Sequence, residues 1–256
     1  MKGINVKYTT DILIFTVDSR ENKNVRGLPQ KYFSILLVKR DKEPFKGEWC
    51  LPGGFVLESE TSRDAAKRVL QKETNLKDIY VEELGVYDEI NRDPRERTVS
   101  VAYSALTPKS KIHDNISPNA KWFDIEISES EKDINLRLFN EEEINIKLSK
   151  KLINKESNQY SYQVIKSKGI AFDHALIIND GIIDIRKKAN NTDIIFNLMP
   201  KEFTIGELKQ VYEIIQGKVL INSAFRRAIA SKVEPVKETI KTGGHRPSQM
   251  FKYRRN

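Results

Sequence analysis

One short stretch of this 256-residue chain collects most of the side chains that could handle a charged ligand. Trp49-Cys-Leu-Pro-Gly-Gly54 breaks the chain and leads into Gly54-x5-Glu60-x7-Arg68-Val-Leu70-x-Lys72-Glu73-x-Asn75-Leu76. Carboxylates such as Glu60 and Glu73 can ligate a hard dication or accept a guanidinium, and Arg68 is placed to pair with one of them and order the loop between. Lys72 adds a compact ammonium, suited to holding phosphate as a point charge. Arg92, Arg95 and Arg97 form a second group of cations, suited either to ligand phosphates or to a partner subunit. His174, after Phe172 and Asp173, is a candidate base, but at a helix start a histidine more often serves structure, so no residue is assigned as catalytic. Cys50, the single cysteine, can make neither an internal disulfide nor a cysteine zinc site, and His113, His174 and His245 are too scattered to pair as ligands.

A different chemistry lies at the other end of the chain. From Lys218 onward there are ten basic residues against only Glu234 and Glu238, so the last 39 residues carry the whole net charge of +8 and the rest balances to zero. Such asymmetry suggests a polyanion-binding module appended to a neutral domain. Within it, a short helix over about 222–230 turns Ala224, Phe225, Ala228 and Ile229 inward, which leaves Ser223, Arg226, Arg227 and Ala230 on the outer face. Arginines there can reach base edges or phosphates.

These side chains need elements to hold them. Thr10–Asp18, Tyr32–Arg40 and Thr98–Leu106 are β-branched and aliphatic runs with the pattern of strands. Thr61–Leu76 places Ala65, Ala66, Val69 and Leu70 on one helical face, with Thr61 and Asp64 set to cap its start and Asn75 able to close it in the left-handed conformation. The charged stretch after Trp122–Ile127 predicts an inserted hairpin at about 128–166, with Asn135–Leu138 and Ile144–Leu148 as its arms. Phe172–Lys188 reads as a helix covering the sheet, ended by the polar break Ala189–Thr192. Thr204-Ile-Gly-Glu207 fits a capping box, Phe203 and Leu208 a hydrophobic staple, and Gly217 a helix stop, around the stripe Ile205, Leu208, Val211, Tyr212 and Ile215. Val233–Ile240 and Ser248–Tyr253 flank the turn Thr242–Pro247, which follows Lys241 and carries His245 and Arg246 at its basic tip. Helix, turn, helix and basic hairpin is the layout of a winged helix-turn-helix, with the second helix in the major groove and the wing on the backbone or minor groove.

The segment from Gly54 to Leu76 resembles the Nudix box, whose pattern is G-x5-E-x7-R-E-U-x-E-E-x-G-U with U aliphatic. Gly54, Glu60, Arg68, Leu70, Glu73 and Leu76 match at the right spacing. In that family three glutamates on one helix face hold divalent ions that neutralise a pyrophosphate and activate water. Here those positions are Val69, Lys72 and Glu73, and the family glycine is Asn75. Valine offers no oxygen, and the ammonium opposes a bound dication, so the helix is expected to persist and the hydrolase chemistry to be lost. No cofactor is expected, and Mg2+ only if residual hydrolysis survives.

A degenerate Nudix domain followed by a winged helix is similar to the NrtR family of Nudix-related transcriptional regulators. Supporting segments are Arg92–Arg97, Ala171–Ala175, Glu202–Thr204 with Gln210–Tyr212, Phe225–Arg227 and Gly244–Pro247. The resemblance implies an α+β chain, a Nudix α/β/α sandwich over 1–195 followed by a winged helix over 200–256. It also implies a cytoplasmic homodimer that binds operator DNA, controls genes of NAD or sugar metabolism, and responds to ADP-ribose or a related phosphorylated metabolite. Effector contacts would then fall to Glu60, Arg68, Lys72, Glu73, Arg92, Arg95 and Arg97, with Tyr103 or Phe55 stacking on a base. DNA contacts would fall to Ser223, Arg226, Arg227, Lys241, His245 and Arg246. An active Nudix pyrophosphohydrolase is the rival reading and a structural adaptor a third. The apolar runs Ile12–Phe15 and Ile35–Val38 are far shorter than the ~18 residues of a membrane span, and Met1-Lys2-Gly3 leads into no signal-like stretch, so a soluble, membrane-free protein is expected.

Overall fold

The computed structural model describes residues 5–20, 29–112, 116–240 and 248–254. In chain order these form β1 (Lys7–Arg20), β2 (Gln30–Lys39), β3 (Trp49–Cys50), β4 (Gly53–Phe55), α1 (Ser62–Thr74), β5 (Val81–Tyr87), β6 (Thr98–Leu106), β7 (Ala120–Glu129), β8 (Asp133–Phe139), β9 (Glu143–Asn154) and β10 (Gln159–Lys166). Then follow α2 (His174–Asn191), β11 (Phe203–Thr204), α3 (Ile205–Gln216), α4 (Asn222–Ile229), β12 (Val233–Ile240) and β13 (Ser248–Tyr253). The chain divides into two compact units, one of Met1–Phe15, Ser34–Leu106 and Ile112–Asp184, the other of Thr16–Phe33, Thr107–Lys111 and Ile185–Asn256.

The first unit is built on a sheet of order β10-β9-β8-β7-β2-β1-β6-β5, with β3 beside β2 and β4 beside β1. β1 and β6 run parallel and the other registered neighbours antiparallel. Alternation along β1 serves two layers. Ile12 and Ile14 join Ala66, Val69 and Leu70 of α1 in one core cluster. Leu13 and Phe15 face the other way, toward α2, where a Cβ on Gly181 would meet Leu13 Cδ2 at 2.6 Å, so glycine lets helix and strand close up. The stretch expected as one hairpin is the three-strand run β8-β9-β10, which continues the sheet from β7.

α1 begins where its residues dictate. Thr61 Oγ1 accepts from the Asp64 amide at 3.2 Å and the Asp64 carboxylate accepts in return from the Thr61 amide, while Asn75 closes the helix at φ 56°. α2 outruns its expected end. The side-chain Nδ2 groups of Asn190 and Asn191 and the Thr192 hydroxyl donate to the carbonyls four residues back, satisfying the last turn, so the polar stretch finishes the helix rather than interrupting it.

The second unit holds the three-stranded sheet β11-β13-β12 and helices α3 and α4. The Thr204–Glu207 capping box forms with both hydrogen bonds, and Gly217 ends α3 at φ 66°, where its amide reaches the Glu213 carbonyl. Phe203, Leu208, Val211 and Ile215 are buried; Tyr212 sets its ring edge-on to Phe225 at 5.3 Å, and Phe196 stacks on Tyr253 at 4.3 Å. One expectation for α4 fails: only Phe225 and Ile229 are buried, while Ala224 and Ala228 are exposed. A two-turn helix is anchored by its two large side chains at i and i+4, and the small alanines beside that line stay in solvent.

Candidate functional site

In the first unit a cleft of about 340 Å³ opens between the Leu51–Phe55 turn, the last turn of α1, the loop before β6 and the start of α2. Its floor is charged and closed. Asp11 accepts from Ser100 Oγ at 2.6 Å and from Arg92 Nη2 at 3.3 Å. Arg92 also grips Asp173 with two bonds, 2.9 and 2.8 Å. Burial opposes the guanidinium charge, yet the carboxylates of Asp173 and Asp11 outweigh it and hold the Arg92 pKa above its ordinary value. His174 accepts the Leu51 amide on Nδ1 at 2.9 Å, so the proton of the neutral ring is on Nε2, 3.5 Å from Asp11 Oδ1. Burial pushes its pKa down, against the pull of Asp11 and Asp173. His174 thus acts as a structural brace. Above it, a Cβ on Gly53 would meet Asp11 Oδ1 at 2.5 Å and the Thr10 carbonyl at 2.8 Å, so only glycine fits over the carboxylate.

The rim is different in kind. Lys72 is exposed, with Nζ 3.0 Å from Oε1 of the buried Glu73, and both line the cleft. Arg95, also a lining residue, is braced by Asp93 through Nε at 3.0 Å and Nη2 at 2.7 Å. The guanidiniums of Arg40 and Arg95 lie 4.6 and 5.7 Å from the centroid of the Phe172 ring. Phe172 has φ 56°, a strained value for an aromatic residue, and it packs edge-on against Phe45, itself at φ 66°. Phe55 is half exposed and lines the same cleft.

The seven candidate effector residues are therefore not all together. Lys72, Glu73, Arg92 and Arg95 line the cleft; Glu60, Arg68 and Arg97 do not. Glu60 is held by Arg68 Nε at 3.0 Å and by the Leu57 amide at 2.9 Å, which keep its carboxyl below the usual range, so this pair braces the 55–60 loop. Arg97 donates to the Asp88 carbonyl. Arg92 lines the cleft but is committed to two aspartates. Tyr103 cannot stack on a ligand, because it is 2% exposed in the core with its hydroxyl 2.8 Å from Ser62 Oγ. Sequence reasoning missed Asp11, Arg40 and Phe172 as site residues, although an aspartate directly before the apolar run Ile12–Phe15 of a strand is a legible signal of a buried network.

A divalent ion of the kind the Nudix box implies does not suit these residues. Val69 is buried in the core cluster with Cγ2 3.6 Å from the Cβ position of Gly54, so the first ligand position is filled by methyl groups. The second carries Lys72, and Glu60 is taken by Arg68. Among the described residues no three or more His, Cys, Asp or Glu gather as a metal set.

In the second unit Ser223, Arg226 and Arg227 of α4 are all exposed. Ile221 at the N-cap makes no side-chain cap. Lys241, His245 and Arg246, with the turn Thr242–Pro247, lie outside the described residues.

The NUDIX domain family model matches residues 24–154, and that of the NrtR DNA-binding winged helix domain matches residues 195–253. Over 250 residues, 96% of the chain and 81% of the relative, the sequence is 31% identical to the ADPR responsive transcriptional repressor NtrR of Acinetobacter baylyi. The chain belongs to the NrtR family of Nudix-related transcriptional regulators. The fold agrees across nearly the whole NrtR-type chain. A MutT/nudix family protein from Enterococcus faecalis superposes with a TM-score of 0.72 at 23% identity, covering 99% of this chain and 88% of that one. NrtR of Shewanella oneidensis, crystallised with a 27mer DNA, gives 0.68 at 24% identity, covering 96% and 93%. Among the described residues no helix is long and apolar enough to cross a membrane.

Proposed function

We propose that this NrtR-family protein is a DNA-binding transcriptional repressor whose Nudix unit senses ADP-ribose or a closely related phosphorylated metabolite. The observation that carries the reading is the outer face of α4, where Arg226 and Arg227 stand exposed on the second helix of a winged-helix unit that holds the chain's excess of positive charge. The ADPR responsive repressor at 31% identity supports the effector. So does the cleft, where Lys72 and Arg95 supply cations for phosphates and Phe55 an exposed aromatic face for a base. A winged helix reads one half-site, so a homodimer working in the cytoplasm on a two-fold operator completes the proposal. Genes of NAD or sugar metabolism are its expected targets.

The test is a gel shift of the full chain on DNA from upstream of such genes, with and without ADP-ribose. Specific retardation is expected, with ADP-ribose changing operator affinity about five- to 150-fold, the usual size of coupling between two sites. Absence of any sequence-specific shift refutes the regulator reading. A specific shift indifferent to ADP-ribose refutes the effector alone.

A further inference from the structure

We propose that Lys72 is the built-in cation of the cleft, so that the protein takes the diphosphate of its effector without a divalent metal ion. The inference rests on the reading of the cleft as an effector site, and it concerns how charge is balanced there. A diphosphate cannot approach a buried carboxylate unless a cation lies between them. Glu73 is such a carboxylate: its side chain is 5% exposed and, among the described residues, its buried Oε2 has no hydrogen-bond partner. Lys72 Nζ is 3.0 Å from the other oxygen, while its own side chain is 74% exposed, so the ammonium is tied to Glu73 at one side and open at the other.

The surroundings favour a cation at this point but not a dication. Lys72 lies in the last turn of α1, where the carbonyl end of the helix dipole stabilises positive charge. Mg2+ demands near-octahedral oxygen ligands, and here the neighbouring ligand positions are Val69, sealed in the core, and Lys72 itself. The series carboxylate, ammonium, phosphate keeps the order of charges that a metal would give. It differs in one respect that matters for a sensor: an ammonium holds phosphate without activating a water to cleave it. Arg95, about half exposed on the same rim and braced by Asp93, supplies a second cation.

The experiment is calorimetric titration of the full chain with ADP-ribose, and separately with inorganic pyrophosphate, in excess EDTA and in excess MgCl2. Affinities in the two media are expected to agree within about twofold, and Lys72→Met is expected to weaken binding by about tenfold or more, the loss of one charge-assisted contact. Lys72→Arg should retain most of the affinity. Lys72→Met uncovers the buried Glu73 carboxylate, so the melting point of each variant is followed alongside, and Lys72→Arg, which keeps the charge, separates a lost ligand contact from a lost fold. ADP-ribose binding that appears only with Mg2+, or that Lys72→Met leaves unchanged, overturns the inference while the effector reading stands. Metal-free, Lys72-dependent binding of pyrophosphate without binding of ADP-ribose supports the inference and refutes ADP-ribose as effector. No binding of either probe in either medium overturns both.

Discussion

Arg92→Ala should destabilise the first unit strongly even when no ligand is present. The Arg92 side chain is 5% exposed and bonds two carboxylates, Asp173 twice and Asp11 once. Truncation leaves both aspartates facing a gap with no cation. Removing one partner of a buried ion pair costs about 3 to 5 kcal/mol, chiefly because the charge left behind is uncompensated. At about 2 to 4 °C per kcal/mol for a chain of this size, the midpoint should fall by about 6 to 20 °C. Both tryptophans, Trp49 and Trp122, belong to the first unit, so their fluorescence during urea or thermal unfolding reports on that unit. The double variant Arg92→Met with Asp173→Asn should recover part of the loss, since one unpaired charge goes with the guanidinium. A loss below about 1 kcal/mol for Arg92→Ala would show that the floor network is not a structural brace and return Arg92 to the ligand contacts.

His174 is buried neutral with its pKa lowered, so below about 6.5 the unfolded chain takes up a proton that the folded chain refuses. Stability should therefore fall as pH drops from 7.5 to 5.5, by at most about 1.4 kcal/mol per unit from this group, and His174→Gln should flatten the slope; equal slopes in the two proteins would remove the assignment. Gly53→Ala should cost about 1 to 3 kcal/mol, because its methyl would overlap Asp11 Oδ1 and the Thr10 carbonyl, and an unchanged urea midpoint would contradict that packing. Arg226→Ala and Arg227→Ala should each weaken operator binding by about 1 to 3 kcal/mol where the side chain reads a guanine, with the melting point unchanged; a double variant that still shifts DNA normally rules out α4 as the reading helix.

The elements were legible in the sequence wherever local chemistry decides them. Thr61 with Asp64, Thr204 with Glu207, Asn75 and Gly217 all sit where their side chains or backbone freedom place helix ends, and Thr98–Leu106 is a strand to the residue. The layering was not read from β1: its continuous apolar run gives no one-sided pattern, because its alternate residues serve α1 and α2 in turn. The candidate cleft was half legible. Lys72 and Glu73 came from a motif held on one helix face, whereas Arg92, Arg95 and Arg97 differ by their individual partners, and no spacing rule reveals that Asp173, 81 positions away, claims Arg92. Tyr103 was misjudged because an aromatic on a central strand is as often core as surface, and its hydroxyl had a partner in Ser62.

The division of the cleft into a closed floor and an open rim sets how it can change over generations. A substitution at Asp11, Arg92, Asp173 or His174 disturbs buried charge and is removed through misfolding before any question of ligand arises. Lys72, Arg95 and Phe55 are about half exposed or more, so drift there is tolerated by the fold as long as the positive charges beside the buried carboxylates of Glu73 and Asp93 are kept. Descendants of one such chain can acquire a new metabolic signal by altering the rim while inheriting the floor intact, and a deep mutational scan for expression would show the two sets as separate populations of sites.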